Sequence, residues 1–512
     1  MSLTLAELAA VLPHSSHRGD TRLTGITHDS RRVKPGWLFC AVRGSHGDGH
    51  THVQDAVQAG AAAVMVERFV ECGVPQLLVP SVRAALGPAS SAVEGWPAQH
   101  LRSIGITGTD GKTTTSYLLE RVLEAHGWRT GVVGTVETRI GGRGSPSTLT
   151  TPEAPDLHRT LAEMVDDHVD AAIMEVSSHG IDQQRIEGIR FDVAVFTNLF
   201  PEHLDYHGTV EHYWATKAKL FEATRAAAGV ICVDQDWGVR LAHQTQVPSQ
   251  TFGRSHTADL VMEQVSTSLS GTSVTIRRRG STGTRRRLWS PLVGSYNAYN
   301  MAAAYLAARI LGVPASTAEE GIASCAPVPG RFELIDRGQP FLVVVDYAHT
   351  PDALAGLLAT ARDLVSNRVL VVVGARGGRD RLKRPRTGRV AATADLAVLT
   401  TDSPGREDPA HIAQELLVGT VDVPGRNVVI ELDRAKAITF ALANAGPGDA
   451  VLVVGRGHER SRHVGDQEVP FDDRQGAADA LAGLGWTTPL RTAKLGEPSL
   501  GDYGTESKMA SG

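Results

Sequence analysis

The stretch TGTDGKTTT, Thr107 to Thr115, joins an apolar run to a helical one. Gly108 and Gly111 permit a tight loop whose N–H groups turn inward, with Thr109 and Asp110 between them. A helix beginning near Lys112 adds the partial positive charge of its N-terminus. Lys112 supplies a mobile ammonium for outer phosphates, the Thr113 hydroxyl suits Mg²⁺, and Thr114 continues the polar turn. The pattern GxxxxGK[ST] asks for Gly where this chain has Ile106, so the loop is a shorter phosphate cradle. A chance Gly-Lys-Thr turn is the bland alternative, and the strand–turn–helix context speaks against it.

Further chemistry-bearing residues follow strands. Glu175 ends the apolar run AAIME, at a carboxyl edge where ligands of open α/β sheets bind. Alone it reads as structural; near a phosphate loop it becomes a candidate Mg²⁺ ligand. His203 and His207 have the spacing of a zinc-protease helix, but Leu204 stands where the general base belongs, so that reading falls. Lys217 and Lys219, taken alone, are two surface lysines on a helix. Asn297 and Asn300 lie one helical turn apart, and Asp346 and His349 follow the apolar run VVV.

The elements that must hold these residues read as α/β throughout. Residues 1–98 form a small N-terminal unit with short buried strands in AAAVMVE and PQLLVP, and Pro80–Pro97 reads as an exit linker. Residues 99–331 alternate strands (SIGIT, AAIMEV, FDVAVFTN) with helices (Thr113–His126, Thr209–Arg225), predicting a mostly parallel sheet with a hairpin insert at SVTIRRRGSTGTRRRLWS. Residues 332–490 repeat the alternation as a doubly wound, Rossmann-like unit, and 491–512 read as a frayed polar tail. Lys+Arg 51 against Asp+Glu 56 gives a net charge of −5, which argues against a nucleic-acid binder. The arginine-rich hairpin is expected to be a solvated turn. Four scattered cysteines without a CxxC pair fit a reduced compartment. With no signal-peptide pattern and no apolar run of about 18 residues, a cytoplasmic protein without membrane contact is expected, as a monomer.

TGTDGKTTT resembles the phosphate loop of the Mur ligases, ATP-dependent amide-forming enzymes of peptidoglycan precursor synthesis. The resemblance continues in order along nearly the whole chain, and its details are similar to the MurE branch. It implies ATP and Mg²⁺ as cofactors, with UDP-N-acetylmuramoyl-L-alanyl-D-glutamate and a free amino acid as substrates. ITHDSRRVKPGWLFCAVRG resembles the uridine-binding domain and implies a substrate role for Ser30; TTPEAPDL implies one for Thr150 and Thr151. EVSSHGIDQQR implies that Ser177, Gln183 and Arg185 contact the muramoyl substrate. TNLFPEHLDYHG resembles TNLxxDHLDYHG with Glu202 in place of Asp, placing His203 at or beside a metal. HYWATKAKLF resembles HYxxxKxxLF, whose lysine is carbamylated; that lysine is Lys217. A carbamate is an anion and would bind a second Mg²⁺, so the implied metal set is Thr113, Glu175, His203 and Lys217. LVGSYNAYN implies adenine-side roles for Asn297 and Asn300, and Arg331, Asp346 and His349 would reach ATP as the third domain closes.

The resemblance breaks where the incoming amino acid is chosen. Diaminopimelate enzymes commonly carry DNPR; here the text is DSPG, with Asp402 kept, Ser403 for Asn and Gly405 for Arg. Gly cannot replace a bidentate guanidinium, though Arg406 next door offers a substitute. GRGHE keeps Gly455 and Glu459, the latter suited to a distal ammonium. Arg376 and Gly378 stand where Gly and Asp are usual. These departures point to an amino acid other than meso-diaminopimelate: L-lysine, another diamino acid or an unusual residue. A paralogue in a specialised peptide pathway, a folylpolyglutamate-type or cyanophycin-type ligase, and a P-loop NTPase acting as a regulatory module remain as competing readings.

Overall fold

The structure is a computed structural model describing residues 3–44, 47–280 and 285–488. The polar tail and the tip of the arginine-rich hairpin lie outside those residues. Three α/β layers follow one another along the chain. The first sheet has five strands, in which Gly25–Thr27, Trp37–Cys40, Ala63–Val66 and Gln76–Leu78 run parallel and Ser16–Arg18 closes the edge antiparallel.

The stretch expected to be a linker is instead a helix, Val82–Val93. Ser81 caps it by accepting from the Ala84 N–H, and the Glu67 carboxylate accepts from the Val82 N–H at 2.9 Å. Pro88 forfeits one helical hydrogen bond, yet Leu86, Ala89, Ala92 and Val93 are buried in the lobe's core. A Cβ at Gly87 would come within 2.4 Å of the Glu187 carbonyl oxygen, so the helix lies directly against the middle lobe. Tertiary burial outweighs the local breaker signal.

The middle sheet has eleven strands. Its centre is parallel: Thr130–Val133, Ala171–Glu175, Arg102–Thr107, Phe191–Phe196, Ala226–Cys232 and Ser249–Gly253 lie side by side, and Leu260–Ser268 joins parallel at their edge. The outer strands turn antiparallel. The insert is a hairpin of Gly271–Arg278 with Arg285–Ser290. Four of its arginines are answered locally: Glu263 pairs with Arg277 and Arg285, Asp259 with Arg279 and Glu319 with Arg286. The helix expected over Thr209–Arg225 ends at Ala218 and tightens into a 3₁₀ turn, Lys219–Phe221, which drives Leu220 and Phe221 into the core before strand Ala226–Cys232.

The third sheet has six strands, parallel except at the edge where Glu333–Leu334 joins. Inside it Arg434 and Asp473 form a wholly buried, bidentate pair at 2.7 and 2.6 Å. Arg434 also donates to the carbonyls of Thr401 and Val454, and so ties together two strand ends that carry candidate site residues. Among the described residues no helix is long and apolar enough to cross a membrane.

Candidate active site

Strand Arg102–Thr107 leaves the sheet into the loop, and helix Lys112–Ala125 starts at Gly111 in a left-handed conformation, φ +86°. Gly108, at φ +149°, has no room for a side chain: a Cβ would lie 1.9 Å from the Thr197 hydroxyl. A Cβ at Gly111 would lie 2.4 Å from the Asn300 amide oxygen. Both glycines are therefore demanded by shape as well as by φ. Lys112 Nζ donates to the Gly108 and Thr109 carbonyls at 3.0 and 2.8 Å, and burial lowers its pKa.

Glu175 stands at the neighbouring strand's carboxyl edge and is buried. It accepts from the Thr113 hydroxyl at 3.0 Å, the Thr135 hydroxyl at 2.8 Å and the Thr135 N–H at 3.0 Å. Thr135 also meets the Thr150 hydroxyl at 3.1 Å. Lys217, 1% exposed, lies across the loop and donates to the same Gly108 carbonyl at 2.9 Å, over the Tyr213 ring. Burial first, and Lys112 next, push its pKa well below the usual lysine value. His203 sits in a left-handed turn at φ +55° against His179 and Tyr213, and burial holds its pKa down to about 3. It is neutral near pH 7 and offers a nitrogen lone pair.

Thr151, Ser177 and Arg185 form one hydrogen-bonded group. Thr151 donates to the Glu175 carbonyl at 2.9 Å and accepts from the Ser177 N–H at 3.0 Å. Arg185 donates to the Thr151 carbonyl and pairs with Glu153, which also holds Arg83 of the first lobe at 2.6 Å. From the third lobe, Arg331 donates to the Thr113 hydroxyl at 3.4 Å, Asp346 accepts from the Phe332 and Ala348 N–H groups, and Lys383 pairs with Glu202 at 2.8 Å. His349 Nε2 lies 3.8 Å from the same Glu202 carboxylate. The Arg331, Lys383 and His349 contacts seat this part of the chain on the middle lobe.

One cavity of about 1000 Å³ gathers Gly108–Thr114, Thr150, Thr151, Glu175, Ser177, Arg185, His203, Lys217, Asn300, Arg331, Asp346, His349, Arg376, Asp402 and Glu459. Other expected residues lie outside its walls. Asn297 spends its amide on the Val293 carbonyl and on Asn300, so it orients Asn300. Asn300 itself accepts from Thr115 and packs on Gly111, at the phosphate loop. Gln183 accepts from Arg185 at 2.6 Å. Ser30 lies in the 3₁₀ turn Ser30–Arg32 of the first lobe. Ser403 accepts from Arg456, and Gly455, at φ +106°, lets the backbone pass close to Asp402.

Arg406 does not take the place of the arginine missing at Gly405. Gly405 is bonded to the hairpin Ser461–Pro470 through the His463 carbonyl and the Gly465 N–H, which turns Arg406 outward onto Asp466. Both side chains are mostly exposed, at 81% and 74%. Thr135, Glu153 and Lys383 carry no mark of their own in the sequence, and Glu202 stands out there only as a departure from Asp. Thr135 could have been found by the carboxyl-edge rule, because it closely follows strand Thr130–Val133. The Glu202–Lys383 pair joins residues 181 apart and has no local signal.

Three family models match in sequence: the catalytic domain of the Mur ligase family over residues 22–93, the Mur ligase middle domain over 106–308, and the Mur ligase glutamate ligase domain over 330–457. A UDP-N-acetylmuramoyl-L-alanyl-D-glutamate--2,6-diaminopimelate ligase of Geobacillus thermodenitrificans is 41% identical, across 91% of this chain and 96% of the relative. The chain belongs to the Mur ligase family. The like-named protein of Streptomyces coelicolor is 42% identical over 93% of this chain and 96% of its own length. A solved structure of an enzyme with that name superposes with TM-score 0.67 at 31% identity, covering 95% of this ligase and all of that chain. A MurF ligase of Thermotoga maritima, solved with ADP, shares the fold at TM-score 0.63 and 21% identity, over 85% of this chain and 94% of that one. This Mur ligase is an ATP-dependent, ADP-forming enzyme that makes amide bonds.

Proposed function

We propose that this ligase joins an amino acid to the D-glutamate side-chain carboxylate of UDP-N-acetylmuramoyl-L-alanyl-D-glutamate, in peptidoglycan precursor synthesis. The observation that carries the reading is convergence: the phosphate loop, the Thr151–Ser177–Arg185 group and the Asp402–Glu459 wall share one cavity. The names of the relatives supply the substrates, and the chemistry of the walls suits them.

Oxide is a poor leaving group, so the carboxylate must first be activated. A carboxylate oxygen attacks the γ-phosphorus, the bond to the β,γ-bridging oxygen breaks, and ADP leaves. The amino acid's neutral amine then adds to the acyl carbon, phosphate departs with the former carboxylate oxygen, and the amine loses a proton. Lys112 and the loop N–H groups hold the phosphates, so catalysis is mainly positioning and charge stabilisation. Arg185 orients the muramoyl substrate. The third lobe, held by Lys383–Glu202, excludes water that would hydrolyse the acyl phosphate.

Thr113 and Glu175 present hard oxygens 3.0 Å apart beside the loop, a set that fits Mg²⁺ with phosphate and water completing its shell. Among the described residues no group of three or more His, Cys, Asp or Glu side chains forms a metal cage. Bound there, Mg²⁺ would neutralise charge on the transferring phosphoryl group. Lys217 would join the set only as a carbamate; burial and Lys112 push its pKa down, toward the neutral amine that adds to CO₂. The test is a reaction of purified ligase with ATP, the UDP-muramoyl dipeptide and a panel of amino acids, with products weighed by mass spectrometry. Expected is one product heavier by an amino acid less water, formed one-for-one with ADP. ATP turnover that is indifferent to both acceptors would instead mark a nucleotide-driven regulatory module.

A further inference from the structure

Arg376 follows strand Val369–Val373 on the cavity wall and pairs there with Glu459, which follows strand Ala450–Val454. Its Nε lies 4.0 Å from Asp402, from the end of a third strand. Asp402 already has a cation: Arg456, completely buried, lies 3.4 Å from it and donates to Ser403 at 3.1 Å. Arg456 is pinned further by the carbonyls of Ser461 and Phe471. Arg456 also lies 3.6 Å from Glu459, so two linked pairs are stacked at this strand edge. The inner one, Arg456–Asp402, is 0% and 2% exposed and fixed; the outer one, Arg376–Glu459, is 31% and 21% exposed and faces the cavity.

A guanidinium and a carboxylate side by side on a cavity wall complement a ligand end that carries both charges. An ammonium alone would have to compete with Arg376 for Glu459 and would leave the guanidinium with nothing gained. A zwitterionic end exchanges one internal pair for two external ones, its carboxylate meeting the planar fork and its ammonium the acid. Resting on the ligase reading above, we infer that Arg376 determines acceptor specificity: it takes the distal carboxylate of the incoming amino acid while Glu459 takes the distal ammonium. The acceptor class is then a diamino dicarboxylate, bound through an arginine that projects from a different strand end than Gly405 does. This reverses the sequence expectation that loss of an arginine at Gly405 excludes such a substrate.

The experiment compares wild type, R376Q and R376K with two acceptors that share a distal ammonium, 2,6-diaminopimelate and lysine. Phosphate release is measured at saturating ATP and UDP-muramoyl dipeptide, with amide product confirmed by mass. Wild type is expected to favour diaminopimelate. R376Q should raise KM for diaminopimelate about 30-fold or more, as expected for losing a desolvated charge pair, and R376K should lie between. KM for ATP should stay put, and KM for lysine should hold or fall because Glu459 loses Arg376 as a competitor and keeps only the buried Arg456, 3.6 Å away. The inference is overturned if R376Q leaves diaminopimelate KM unchanged, raises both acceptors alike, or acts on ATP instead. Wild type forming no amide with either acceptor would bring down the ligase reading and this inference with it, whereas failure in the variants alone leaves the ligase reading standing. A circular-dichroism melt of each variant separates lost binding from lost fold.

Discussion

Lys217→Ala should lower turnover on the order of 10³-fold, and added propionate should restore part of it. The reason lies in the burial of an amine on which desolvation and Lys112 outweigh the pull of the Glu202 and Asp110 carboxylates. Lys217 is 1% exposed, its hydrogen bond goes to the Gly108 carbonyl, and Lys112 donates to that same oxygen. Two ammonium groups crowded on one carbonyl repel each other, which is why burial and Lys112 together favour the neutral amine. Addition of that amine to CO₂ forms an N–C bond, releases a proton and leaves an anion beside Lys112, turning repulsion into attraction. A short carboxylate diffusing into the space vacated in the alanine variant would supply the same two oxygens. The phosphate-release assay with and without propionate reads this directly. Full activity in the unrescued variant would refute the role, and loss without rescue would reduce Lys217 to a packing residue.

Glu175→Gln should cut kcat by about 10²–10³-fold and raise the Mg²⁺ concentration needed for half-maximal rate, with little change in melting temperature. The amide keeps the volume of the carboxylate, so the wall stays filled beside Thr135 and Gly134, where a Cβ would lie 2.4 Å from the Glu175 carboxylate. What changes is charge. Glu175 faces the Thr113 hydroxyl and two groups of Thr135, and an amide offers a far weaker oxygen to a divalent cation. Titrating Mg²⁺ in the steady-state assay distinguishes the roles: an unchanged Mg²⁺ dependence would show that Glu175 only braces Thr113 and Thr135.

Much of this architecture is written locally and was therefore readable. The loop needs Gly108 and Gly111 because Thr197 and Asn300 press on them, and strand–glycine–lysine–helix order carries that in nine residues. The parallel strands of the second and third sheets are short apolar runs punctuated by helices. Gly127 marks the end of the loop helix with φ +87°. What escaped is what depends on distant partners. Pro88 reads as a breaker, but the helix around it is paid for by burial against the first lobe's core and Glu187. Asn297 has the right spacing for a ligand contact, yet its amide is consumed by Val293 and Asn300. Arg406 sits next to the expected position and is drawn away by a hairpin about sixty residues on, while Arg376 arrives from a strand end with no sequence mark beyond being an odd residue. A missing motif residue thus says little until the neighbouring strand ends are seen together.

In the proposed reaction the γ-phosphoryl group passes to the substrate carboxylate before the amide forms. UDP-muramoyl dipeptide labelled with ¹⁸O in the D-glutamate side-chain carboxylate, turned over with unlabelled ATP and an amino acid, tests that step directly. The released inorganic phosphate is analysed by ³¹P NMR, in which each ¹⁸O shifts the resonance upfield. One ¹⁸O per phosphate is predicted, because the oxygen that attacks phosphorus leaves with it. Unlabelled phosphate accompanying amide product would rule out an acyl phosphate and require another way of activating the carboxylate.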